Sequence, residues 1–221
     1  MKTIAVACKT LKSEIIHVIE EMNIDFPVIW IKSGLHNTPE KLSHALQDTL
    51  DTIDNVDNIL MLYGNCGNSL IGLHHDKARI IIPNVSDCIS LFLGGDKIKK
   101  QWDEKAVSYY LTKGYLESES NIWTDYTYCL NKYGEKRAKR VMEAMLKSYE
   151  KLRIIETGAY ELQEILESTK QIASTLDLEH EVIKGSINIL YKALKEEWDD
   201  DFIIVDPGVQ IDYKHFGVMQ A

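Results

Sequence analysis

The chain has four cysteines in 221 residues, too few to staple a small disulfide-built fold. None of them forms a C-x-x-C pair. It lacks an apolar run approaching the ~20 residues that cross a bilayer. It has no phosphate-binding P-loop. Gly64, Gly67 and Gly72 are spaced G-x-x-G-x-x-x-x-G with no clean helix start behind them, so there is no dinucleotide fingerprint either. Positive charge is also scarce: 25 Lys and Arg stand against 34 Asp and Glu, a net charge of −9. Such a surface repels phosphate backbones and anionic lipid, which excludes nucleic acid and membrane as expected partners. Met1 to Lys9 hold one short apolar run without a secretory apolar region or cleavage site. The expectation is a soluble cytoplasmic protein with reduced thiols.

What is present is an ordinary globular mixture, 45% apolar and 27% charged, which rules out disorder, collagen and low complexity for the whole chain. Ile4 to Ala7 is a compact apolar run that reads as a buried strand. Leu11, Ile15, Ile16, Ile19 and Met22 then recur at helical spacing. Phe26 to Ile31 is a second strand. Thr38 and Pro39 open a helix with Leu42, Ala45, Leu46, Leu50 and Ile53 on its apolar stripe. Asn58 to Tyr63 and Arg79 to Ile82 are the next strands. Continuous apolar strands alternating with amphipathic helices predict an α/β fold with a largely parallel sheet, covered by helices on both faces. The second half repeats the theme more weakly: strands at Leu152 to Ile155, Glu181 to Ile183 and Phe202 to Val205, with helices between. The expected organisation is an N-terminal α/β half over residues 1–95, a helical and aromatic middle over 96–150, and a C-terminal α/β half over 151–221. The halves would share one sheet or form two lobes around a cleft.

Ligands of open α/β sheets bind beyond the carboxyl ends of the strands. Cys8 follows the first strand, His36 the second, Cys66 the third and Cys88 the fourth. If those strands are parallel, three thiols and one imidazole open onto a common crevice. That set matches the ligands of a tetrahedral zinc site, with His36 as fourth ligand or acid/base. Three cysteines could equally hold a [4Fe–4S] cluster with one iron left open. Gly64, Asn65, Gly67 and Asn68 surround Cys66, where the backbone could approach a cofactor and donate to the sulfurs. Asp87, beside Cys88, is a candidate catalytic group and also a natural N-cap for the helical segment Ile89 to Leu93.

Other residues read more plainly. Cys129 falls in a helix. His74 and His75 are adjacent and point apart, as in a solvated turn. His17 and His44 sit on helices at the surface. Ala138, Val141, Met142, Met145 and Leu146 form a helix stripe. Tyr109, Tyr110, Thr112, Gly114 and Tyr115 form a polar and aromatic strip that would pack between the halves or cover a ligand. The acidic run Glu196, Glu197, Asp199, Asp200 and Asp201 reads as a solvated turn before a strand.

Four segments together resemble an uncharacterised domain-of-unknown-function family of anaerobic bacteria and methanogens, often encoded near corrinoid-dependent methyltransferases. They are Gly34-Leu35-His36-Asn37 with Pro39-Glu40, Tyr63-Gly64-Asn65-Cys66-Gly67-Asn68, Ile82-Pro83 through Asp87-Cys88, and Tyr110-Leu111-Thr112-Lys113-Gly114-Tyr115. The family often carries Trp where this chain has Tyr115. The resemblance implies a setting of one-carbon transfer. Combined with the cysteines, it sets the expectation of zinc-thiolate methyl transfer or a supporting step in corrinoid metabolism. The partners would be a small-molecule methyl donor or acceptor and a corrinoid protein. The alternatives are an iron–sulfur protein that activates a corrinoid partner and a non-enzymatic metal- or corrinoid-binding accessory protein.

Overall fold

The computed structural model describes residues 1–217, apart from the side chain of His36. The first unit runs β1 (Thr3–Cys8), α1 (Lys12–Met22), β2 (Val28–Ile31), α2 (Pro39–Thr52), β3 (Asn58–Leu62), β4 (Arg79–Pro83), α3 (Cys88–Leu93) and α4 (Asp96–Asp103). The second runs β5 (Ser108–Leu111), α5 (Lys113–Leu116), α6 (Ile122–Tyr133), α7 (Glu135–Met145), β6 (Lys151–Glu156), α8 (Gln163–Thr175) and β7 (Glu179–Lys184). Then follow α9 (Asn188–Leu194) and β8 (Phe202–Val205).

The first sheet has the order β2-β1-β3-β4-β8, and the second β5-β6-β7. All pairings are parallel except that between β4 and β8. The expected mostly parallel α/β architecture is therefore observed. Every residue of β3 is buried, so both faces of the first sheet are covered, which is why its strands read as unbroken apolar runs. Pro39 occupies the start of α2 as expected, where its missing N–H would have had no helical partner.

Two elements sit differently from the sequence reading. Tyr109 and Tyr110 lie within a strand, β5, so the polar and aromatic middle contributes the edge of the second sheet. Phe202 to Val205 leaves the second half and returns antiparallel to β4. Short apolar strands carry no label for which sheet they join; pairing decides it. The cores follow this crossover. One cluster surrounds the first sheet and takes in Leu190, Ala193 and Leu194 of α9, while the other packs α6, α7 and α8 against the second sheet. Among the described residues no helix is long and apolar enough to cross a membrane.

Candidate functional site

The carboxyl ends of β1, β3 and β4 lie side by side because these strands are neighbours and parallel. Cys8 is the last residue of β1. Cys66 lies four residues beyond β3, and Cys88 is the first residue of α3. The loops carrying the last two are pressed together. The Asn65 N–H donates to the Val85 carbonyl at 3.1 Å. A Cβ added at Gly64 would stand 2.3 Å from the Asp87 backbone, so only glycine permits this approach. On the other side of the Cys66 loop, a Cβ added at Gly67 would meet Pro39 at 2.6 Å. The His36 segment thus abuts the same loop through its neighbour. Gly67 and Asn68 both adopt left-handed backbone conformations, and the Asn65 amide donates to the Asn68 side chain at 3.1 Å.

This weave brings the Cys66 and Cys88 sulfurs to 3.6 Å. They are not bonded; all four cysteines are free. The hydrogen bond between the two thiols holds the thiol of Cys66 below its ordinary value. Cys88 is pushed well above its own value by the same bond and by burial. Cys8 is buried and accepts from the Thr10 hydroxyl at 3.1 Å. Burial raises its thiol, and charge on Cys66 raises it further. The three cysteines therefore share one electrostatic environment, with Cys66 the member that ionises most readily. Cys129 lies far off in sequence and fold, packed against the second core.

Two tyrosines lie close enough to the three cysteines to feel their charge. Tyr63, 1% exposed, ends the approach of β3. Tyr115 arrives from α5 of the second unit. Burial holds both phenols well above their ordinary range, and thiolate charge on Cys8, Cys66 or Cys88 raises them further. Tyr63 heads the Cys66 loop, and Tyr115 belongs to the strip expected to pack between the halves or cover a ligand, but the sequence reading names neither as a site residue. Only the meeting of the two sheets brings Tyr115 to the cysteines.

Asp87 is the N-cap of α3, accepting from the Ser90 N–H at 2.9 Å and lying 3.5 Å from the Lys99 ammonium. Gly64, Asn65, Gly67 and Asn68 form the Cys66 loop as described. The side chain of His36, the fourth expected ligand, lies outside the described residues. Among the described residues no three His, Cys, Asp or Glu side chains stand as a ready-made metal-binding group. The geometry supplies a close thiol pair with a third thiol nearby.

His75 is a correction to the sequence reading: it is buried, and its ring bonds the Ile53 carbonyl at 3.0 Å and the Ala78 N–H at 2.8 Å. It staples the end of α2 to the start of β4 instead of facing water. Val141 and Met145, read as part of a helix stripe, are 37% and 56% exposed. A helical period marks one face without showing whether a neighbour covers it.

No curated protein and no solved structure matches the chain. A family profile matches residues 30–194, about three quarters of the sequence. That span includes Cys66, Cys88, Tyr63 and Tyr115, while Cys8 lies outside it, 22 residues before its start. The chain belongs to the family described as proteins of unknown function, DUF1638.

Proposed function

We propose that the protein holds a soft metal ion, zinc in the first instance, through Cys8, Cys66 and Cys88, and uses it in methyl transfer or a supporting step of corrinoid-linked one-carbon metabolism. The observation that carries this reading is the 3.6 Å separation of the Cys66 and Cys88 sulfurs. Two thiolates on one tetrahedral zinc, each at about 2.3 Å, stand about 3.8 Å apart. The pair needs almost no movement to share an ion. Soft sulfur donors select zinc, copper(I) or iron over magnesium and calcium. A bound zinc would supply the Lewis acidity that keeps a substrate thiol ionised near neutral pH.

The chain's own groups fit that chemistry. Cys66 ionises first and would begin metal capture. Thr10 orients the Cys8 sulfur, and the α3 cap set by Asp87 fixes Cys88. Tyr63 and Tyr115 exclude water on the inner side. His36 is the proposed fourth ligand or acid/base. The methyl-transfer half of the reading draws on the family resemblance. The small methyl donor or acceptor and a corrinoid protein are the proposed partners.

Elemental analysis of anaerobically purified protein tests the ligand set. Stoichiometric zinc is expected in the wild type and in Cys129→Ser, with metal lost from Cys66→Ser and Cys88→Ser. Unchanged metal in the last two would overturn the assignment. A brown protein containing iron and sulfide would replace zinc by a cluster. Protein-dependent demethylation of methylcobalamin by a thiol tests the transfer step; cobamide binding without turnover would instead favour the accessory role.

A further inference from the structure

The Cys66 and Cys88 sulfurs stand 3.6 Å apart with no bond between them. The two residues are 22 apart in the chain and sit in different loops. Their meeting is a product of the fold, held by the Gly64–Asp87 contact and by the Asn65 N–H on the Val85 carbonyl at 3.1 Å. A disulfide bond is about 2.05 Å long, so the sulfurs have only about 1.5 Å to close, and closing it needs no cavity. The two thiols differ in access. Cys66 is half-buried and followed by the exposed Gly67 and Asn68, whereas Cys88 is 4% exposed. A reagent in solvent therefore meets Cys66 first. The bond between the thiols lowers Cys66 while burial raises Cys88, which agrees with that order, since the thiolate is the nucleophile. Cys8 is engaged elsewhere, accepting from the Thr10 hydroxyl at 3.1 Å.

We propose that Cys66 and Cys88 form a thiol–disulfide exchange site for small-molecule disulfides, with Cys66 as the attacking sulfur and Cys88 as the resolving one. The Cys66 thiolate attacks one sulfur of the small disulfide, whose S–S bond breaks. The first small thiolate leaves with the electron pair and takes up the proton that Cys66 gave up. The Cys88 thiol then loses its proton and attacks the Cys66 sulfur, forming the Cys66–Cys88 bond and releasing the second small thiol. Two protein thiols have lost two electrons and two protons, and the small disulfide has gained them. A dithiol reductant runs the sequence backward. The second step joins groups already held side by side, so it outpaces return of the first small thiol. The site needs only the two sulfurs and does not rest on the metal reading. It goes beyond that reading, since the oxidised pair has no thiolate left to offer an ion.

The experiment uses the full chain, freed of metal by a chelator and treated with oxidised glutathione at neutral pH, then read by intact mass and peptide mapping. In the wild type the Cys66 and Cys88 peptides should come out joined, with a mass loss of two hydrogens that dithiothreitol reverses. The joined form should exceed the glutathione adduct on Cys66 by about tenfold or more. Cys88→Ser should stop at that adduct, Cys66→Ser should leave Cys88 unmodified, and Cys8→Ser should behave as the wild type. A glutathione adduct on Cys66 that persists in the wild type, a cross-link through Cys8, or a bond that forms only in denaturant would each overturn the proposal. A wild type that binds zinc yet never forms the bond would overturn it and leave the metal reading standing. A wild type that forms the bond but takes up no zinc would do the reverse.

Discussion

At the scale of single residues, the most unusual charge lies outside the cysteine crevice. Glu14 sits in the first turn of α1, fully buried, with one carboxylate oxygen accepting from the Thr157 hydroxyl at 3.1 Å and the other unpaired. Burial pushes its carboxyl up to about 7 from an ordinary 4.5. Between these values the folded protein keeps a proton that the unfolded chain has lost. Stability contributed by Glu14 therefore falls as pH rises through that window, by up to about 3 kcal/mol. Urea titrations should show Glu14→Gln gaining on the wild type from pH 5 to pH 8, with no gain at the acid end. A constant difference between the two across that range would show that Glu14 does not titrate as described. The cysteines were legible as separate strand-end residues. Glu14 was not, since an acidic residue in the first turn of a helix normally faces water and the N-terminal dipole.

At the scale of elements, the crevice depends on how closely two loops approach. Gly64 has an ordinary backbone conformation, so its requirement is purely steric: the Asp87 backbone fills the place of its Cβ. Gly64→Ala should force the Cys66 and Cys88 loops apart, cost about 2 to 3 kcal/mol as overpacking does, and lower the melting temperature by roughly 5–10 °C. Calorimetry would measure the loss. The same variant should retain less metal, because the 3.6 Å sulfur pair depends on that contact. The helices and strands themselves were legible from periodicity. The partner of each loop was not, because a loop's neighbour is set by which strands pair and not by its own residues.

At the scale of the whole molecule, the two sheets meet along their carboxyl ends. A Cβ on Gly114 of α5 would stand 2.0 Å from the Thr10 carbonyl, directly beside Cys8. The Ser186 N–H beyond β7 donates to the Phe92 carbonyl of α3 at 2.7 Å. A line of polar contacts also crosses the molecule. Asp87 meets Lys99, Lys99 meets Asp103, and the Tyr110 hydroxyl donates to Asp103 at 2.7 Å. Arg153, 1% exposed, bonds Tyr110 and pairs with Glu181 at 2.7 Å. The cap of the Cys88 helix is thus tied to a buried cation of the second sheet. Gly114→Ala should loosen the docking of the units while both sheets persist. Its signature would be faster hydrogen exchange in the Cys8–Leu11 segment and in α5, with the central strands still protected; uniform protection throughout would count against it.

What the sequence determined by itself is the layered α/β architecture and the placing of Cys8, Cys66 and Cys88 at or beyond strand ends, because apolar runs and helical periods are local signals that one segment carries alone. Tertiary structure alone decided that β8 returns to the first sheet, that His75 is buried, that Tyr115 from the second unit packs against the first core, and that Cys66 and Cys88 come within 3.6 Å. These are pairings between distant segments. Their free energy lies in surfaces that exist only once the chain has folded.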